Sequence, residues 1–235
     1  EHLDSPREVL RSLRTQSLGQ PGPRFLFLEV PNVYHLLQER LYFDFYNDHI
    51  HYFSIQSITR LLQSAGWAPM VRTNTAAEFL GLVSANGGCG VREAAPAGDS
   101  AVPAEGEPIA RVAMEFRRDF ARWKSRMLEL ITGCREQGQR LAVWGAGSRG
   151  VALLAGLDLP DGSYSYVVDS DPNVHGKYLP MNDRPVHSPE WLRQEPVDCV
   201  LVTSYTYFDE ICAQLDWFRS KGGRIIKAYP NPELV

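Results

Sequence analysis

Leu141-Ala142-Val143-Trp144-Gly145-Ala146-Gly147-Ser148-Arg149-Gly150 is the stretch whose reading decides the fold. Four apolar residues read as a buried strand. The next six carry the spacing G-x-G-x-x-G, and Ser148 to Leu157 continue as an apolar helix. The three glycines have separate physical duties: a tight turn, close approach of the backbone to an anion, and tight packing of helix on strand. The helix opens with unpaired N–H groups that favour a phosphate. Asp169 ends the next apolar run, Tyr164 to Val168, where an acid would meet a ribose hydroxyl. Gly145, Gly147, Gly150 and Asp169 are therefore nucleotide-binding candidates, and NAD is the cofactor this pattern suggests by itself.

Downstream, Val197 to Thr203 reads as a strand, Tyr207 to Ser220 as a helix and Arg224 to Ala228 as a closing strand. That alternation predicts a parallel sheet with helices on its faces. Tyr205 and Tyr207 follow a strand at the carboxyl edge, where open α/β sheets bind ligands, so they are candidates for stacking on a sugar or base. Lys177 and Arg184 flank a Gly/Pro-containing loop after the second strand and are candidates for a diphosphate.

Upstream, Ile109, Val112, Phe116, Phe120, Trp123, Met127, Leu130 and Ile131 fall on one stripe of a helix of about 28 residues. Before it, Val91 to Pro108 is rich in Ala, Pro, Gly, Glu and Ser and reads as a linker. Ser5-Pro6-Arg7-Glu8 predicts a capping box and a helix to about Gln16. Phe25 to Val30, a continuous apolar run stopped at Pro31, reads as a buried parallel strand. Ser54 opens a helix that Gly66 ends. Strands follow at about Ala68 to Thr73 and Phe79 to Ala85, closed by Asn86-Gly87-Gly88.

The 235 residues are 44% hydrophobic and 22% charged with a net charge of -4, which excludes a disordered chain and gives no basic surface for nucleic acid. No apolar run approaches the ~18 residues of a spanning helix, and no signal-peptide pattern opens the chain. Cys89, Cys134, Cys199 and Cys212 are spaced irregularly, as buried free thiols of a reducing compartment would be. A cytoplasmic protein is the expectation. Between Asp44 and Phe53, Asp48 and His49 lie beside each other among tyrosines, a combination suited to general-base work. His49 and His51 are two apart without an evident third ligand, so no metal is expected.

These residues carry a resemblance. Glu29-Val30-Pro31-Asn32, the Tyr46 to Phe53 run with Ser54, Gly66, and Asn86-Gly87-Gly88 resemble sugar C-methyltransferases. So do Gly145-Ala146-Gly147, Val167-Val168-Asp169, His175 to Pro180 and Asp209-Glu210-Ile211. That family uses S-adenosylmethionine on nucleotide-linked keto-deoxysugars, and its corresponding motifs read E-x-P, Y-x-E-H-x-x-Y-F-S and H-G-G-S. The resemblance implies that Tyr46, Asp48 and His49 occupy the catalytic positions, with aspartate in place of glutamate. It implies that Asn86 stands where the family has the histidine of H-G-G-S, and Cys89 where it has the serine. In that family a base at the active site formed by the Tyr, Glu and His of the first motif removes the proton alpha to the sugar ketone, and the enolate attacks the methyl group. The family's glycine-rich loop for S-adenosylmethionine, E-x-G-x-G, has no counterpart before Phe25, so the resemblance also implies that Glu1 falls within a domain.

The combined expectation is an α/β protein. Residues 1–90 would be the C-terminal half of a methyltransferase-like sheet, 91–107 a linker, and 108–235 a long helix plus a small Rossmann-like parallel-sheet domain. His49, Asp48 and Tyr46 are the catalytic candidates, and Asn86, Lys177 and Tyr205 the substrate contacts. The partner is a small nucleotide-sugar-like molecule rather than nucleic acid or membrane, and an exposed sheet edge would favour a homo-oligomer. Two other readings stay open: an NAD-binding oxidoreductase and a non-catalytic nucleotide-sugar-binding module.

Overall fold

The computed structural model describes all residues except 20, 23, 47, 77, 87–107 and 181–184, with only the backbone described for 71–76. Cys89, Arg184 and most of the expected linker lie outside the described residues. The chain forms two compact units, Glu1–Phe116 and Arg117–Val235. It is a mixed α/β protein with a small antiparallel sheet, a long helix and a mostly parallel six-stranded sheet.

The first unit contains α1 (Pro6–Leu18), β1 (Phe25–Pro31), α2 (Val33–Gln38), α3 (Ile55–Ser64), β2 (Ala68–Ala76) and β3 (Phe79–Ala85), ordered β1-β3-β2 with both pairings antiparallel. Leu10 of α1 and Ile55, Ile58 and Leu62 of α3 pack with Val30, Leu80 and Leu82 of the sheet. The indole N–H of Trp67 donates to the Leu10 carbonyl at 2.9 Å, tying α1 to the start of β2. A buried leucine of this kind contributes about 1.5–3 kcal/mol.

Two sequence expectations are corrected here, and one element is added. First, β1 is an antiparallel strand at the edge of the described sheet, not a doubly buried parallel one. Its residues alternate, with Phe25 and Phe27 more than half exposed while Val30 is buried; strand side chains alternate faces, and among the described residues helices pack on one face. Second, α1 has no capping box. Ser5 sits at φ -128°, ψ 70° without a side-chain cap bond, and the helix runs on to Leu18. The reciprocal capping box belongs to α3 instead, between Ser54 and Ser57. Third, the aromatic run is preceded by α2, unforeseen in sequence, where Asn32 caps the helix by accepting from the Tyr34 N–H.

The helix α4 (Ile109–Glu136) follows, its first turns counted with the first unit and the rest with the second. The second unit continues with β4 (Leu141–Trp144), α5 (Ser148–Leu157), β5 (Tyr166–Val168), β6 (Val186–His187), α6 (Trp191–Gln194) and β7 (Cys199–Val202). Next come α7 (Phe208–Gln214), α8 (Asp216–Arg219), β8 (Arg224–Lys227) and β9 (Glu233–Leu234). Strand order is β6-β5-β4-β7-β8-β9, parallel throughout except for the β8–β9 pair. Every residue of β4 and β7 is buried, as strands covered on both faces require. The helix expected over 207–220 is broken at Leu215 into α7 and α8. Trp123 of α4 donates its indole N–H to the Ala228 carbonyl at 2.7 Å within this unit. Among the described residues no helix is long and apolar enough to cross a membrane.

Candidate active site

The loop from Leu41 to Phe53 is held at both ends. Leu41 N–H donates to the Leu36 carbonyl, while Phe53 forms a parallel bridge to Asn32 and accepts from Val33 N–H at 3.0 Å. Inside it, His49 N–H donates to the Tyr46 carbonyl at 3.1 Å, and the Tyr52 hydroxyl donates to the same carbonyl at 3.2 Å. Tyr46 and Tyr52 flank the His49 ring, with centroids 5.4 and 6.1 Å away. The Tyr46 hydroxyl donates to Asp44, a buried carboxylate, at 3.4 Å. Burial, foremost, and the Asp48 charge push the Tyr52 phenol above its ordinary range, so it stays a neutral donor.

The chain start converges on the same loop. The Glu1 carbonyl accepts from Ile50 N–H at 3.0 Å and from His51 N–H at 3.2 Å. His2 Nδ1 lies 2.9 Å from the Asp48 carbonyl oxygen, and its ring meets the His49 ring edge-on at 4.7 Å. A carbonyl oxygen only accepts, so Nδ1 carries a proton. His2 Nε2 is 3.6 Å from the Glu1 carboxylate, and Nδ1 is 3.7 Å from Asp48 Oδ2. Tyr46, Asp48 and His49 thus share one cluster with Glu1, His2 and Tyr52. The sequence reading missed Glu1 and His2, because their neighbours in the fold are more than forty residues away.

Asn86 directly follows β3. Its N–H donates to the Arg24 carbonyl, at the end where β1 begins, while Asn32 N–H bonds the Glu78 carbonyl at the other end. The seven-residue β1 separates the two ends by ~20 Å.

In the second unit the glycine turn is closed by its own neighbours. Gly145 has φ +124°, a conformation that favours glycine, and Thr203 Oγ1 donates to the Trp144 carbonyl at 3.1 Å beside it. A Cβ on Gly150 would run into the Gly145 carbonyl. Asp169 Oδ2 accepts from Ala146 N–H at 2.6 Å and Oδ1 from Asp171 N–H at 2.8 Å. Both carboxylate oxygens are engaged with main chain, so nothing in the geometry favours NAD. Tyr205 lies under the Arg149 guanidinium at 4.6 Å and edge-on to Tyr229 at 5.7 Å. Lys177 is exposed on the loop after β5.

A three-stranded antiparallel sheet, a long helix and a parallel sheet with a glycine turn define a two-unit α/β protein with a histidine–carboxylate–tyrosine cluster in its first unit. Residues 108–230 match the C-methyltransferase C-terminal domain, and residues 1–71 match a methyltransferase domain. The chain belongs to the C-methyltransferase family defined by that C-terminal domain. It is 30% identical over 246 aligned residues to the C-methyltransferase NovU of Streptomyces niveus. The match covers 100% of this chain and 56% of NovU, so the chain spans about half the length of that curated relative. A solved structure, UDP-D-quinovosamine 4-dehydrogenase from Vibrio fischeri, aligns with 40% of this chain and 79% of its own. Its identity of 16% and TM-score of 0.28 are too low to carry an argument.

Proposed function

We propose that this chain supplies the acid–base machinery of an S-adenosylmethionine-dependent C-methyltransferase acting on a nucleotide-linked keto-sugar. The observation that carries the reading is the convergence of Tyr46, Asp48 and His49 with Glu1 and His2 on one loop. His49 is the proposed general base. It takes the proton alpha to the ketone, leaving an enolate. The His49 imidazolium then has the Glu1 carboxylate within 4.8 Å to stabilise it. The Tyr46 hydroxyl, oriented by Asp44, contacts the sugar oxygen. Asp48 faces His2 and fixes that ring through its main-chain carbonyl.

The methyl donor supplies an electrophilic methyl group when bound. What these residues do is move a proton and hold its counter-charge. Asn86 in the first unit, and Lys177 and Tyr205 in the second, are proposed substrate-binding residues, each within its own unit.

Enolate formation needs no methyl donor, which gives the test. Deuterium uptake at the carbon alpha to the ketone of a nucleotide-linked keto-deoxysugar is followed by mass spectrometry in D2O with this chain alone. Uptake well above the buffer rate is expected, reduced by about 10²–10⁴-fold in His49→Gln. Uptake at the buffer rate, or equal uptake in His49→Gln, removes the base assignment.

A further inference from the structure

We propose that Glu1, His2 and His49 form a binding site for a divalent transition ion of the zinc class. Each offers one ligand atom, and these three atoms all lie within 4.8 Å of one another. Two imidazoles and a carboxylate are a ligand set that zinc accepts, with a fourth position left for water. At metal–ligand lengths of about 2.0–2.1 Å, tetrahedral ligand atoms stand about 3.3 Å apart. His2 Nε2 and Glu1 Oε1 are already 3.6 Å apart, so a few tenths of an ångström bring this pair onto an ion.

Two independent features point to a ligand site rather than a chance cluster. The first is the support behind His2. Its Nδ1–H donates to the Asp48 carbonyl at 2.9 Å, which orients the ring and points Nε2 toward Glu1. A backbone carbonyl behind a ligand histidine is the usual outer-shell device of metal sites. The second is the main-chain pairing that brings the two segments together. Ile50 and His51 N–H groups both bond the Glu1 carbonyl, so ligands nearly fifty residues apart are held before any ion arrives.

The site differs from the pair that the sequence offers. His51 takes no part: the clustered ligand atoms come from Glu1, His2 and His49. His2 replaces it as the second imidazole.

A consequence follows that rests on the proposed role of His49. An ion held there takes the lone pair the base needs, so metal occupancy and proton abstraction exclude each other.

The test is calorimetric titration of the metal-stripped chain with zinc chloride. It is made in a Cys134→Ser, Cys199→Ser background, because that thiol pair, 3.1 Å apart, is another place for zinc to bind. One equivalent is expected to bind. Affinity should fall at least ~10-fold in His2→Gln and in His49→Gln, fall less in Glu1→Gln, and stay unchanged in His51→Gln, with circular dichroism verifying that each variant is folded. Absence of saturable binding, or binding retained in the His2→Gln, His49→Gln double variant, overturns the site. Deuterium uptake separates the two proposals. Zinc binding as described with uptake intact in His49→Gln refutes the base and leaves the metal site standing. Uptake lost in His49→Gln without zinc binding refutes the metal site and leaves the base.

Discussion

The Tyr52 hydroxyl and the His49 N–H donate to one acceptor, the Tyr46 carbonyl, at 3.2 and 3.1 Å. The bond from Tyr52 closes the loop on which the candidate catalytic residues lie. Tyr52→Phe keeps the ring against Phe45, 5.0 Å away, and deletes only the hydroxyl. The loss should be about 0.5–1.5 kcal/mol, and it should be local. Hydrogen exchange is expected to speed at the His49 amide while the amides of Ile58 and Leu62 in α3 keep their protection. Unchanged exchange at His49 would show that the loop does not depend on this bond.

The glycine turn contains two positions with opposite tolerances. A Cβ at Gly150 would overlap the Gly145 carbonyl and press on Thr203 Oγ1 at 3.0 Å, whereas one at Gly147 meets nothing within 4 Å. Gly150→Ala should therefore destabilise the second unit by about 1–3 kcal/mol through overpacking. Gly147→Ala gives up only the preference for glycine at a helix N-cap, well under about 1 kcal/mol. Thermal melts of the two variants check the order, and a larger loss at Gly147 would contradict the packing described.

Asp169 serves the turn itself. Replacing it with Asn puts an amide N–H₂ against one of two main-chain donors, Ala146 or Asp171. Hydrogen bonds to a charged acceptor are worth about 1.5–3 kcal/mol, so Asp169→Asn should lower the melting temperature by several degrees. NADH should leave the wild-type melting temperature unchanged. A saturable rise with NADH would reopen the dinucleotide reading.

Alkaline pH should destabilise the second unit. Burial, with the neighbouring Cys134 thiol adding to it, pushes the Cys199 thiol up to about 12, and burial pushes the Tyr166 phenol up to about 12 as well. A folded-state value above the unfolded one means that the native state holds its proton longer. The stabilisation is full below the ordinary thiol and phenol ranges and is lost as pH climbs from about 9 to 12. Urea midpoints measured across that window should fall, and Cys199→Ala should flatten the lower part of the fall. At pH 8 the buried pair should resist a thiol reagent until urea unfolds the unit.

Local pattern carried much of this fold. The α4 stripe, the Gly145 turn after β4 and the alternation that builds the parallel sheet were legible because each rests on residues within a turn or two of each other. Boundaries were less so: α1 runs to Leu18, and the segment after Tyr207 breaks at Leu215. The candidate site was legible by half. Tyr46, Asp48 and His49 are consecutive enough to be read as a group and resembled a family motif. His2 was not readable, since nothing in Glu1-His2-Leu3 announces a partner 46 residues on.

By itself, then, the sequence determined an α/β chain, its family and one histidine–carboxylate–tyrosine segment, because periodicity, turn chemistry and motif spacing are local properties of the backbone. Only the tertiary structure decided which face of β1 is exposed and that Asp169 spends both oxygens on its own turn. It also decided that His2 meets His49. Those outcomes depend on strand register and on main-chain bonds such as Ile50 to Glu1, formed between segments whose separation along the chain leaves no trace in either one.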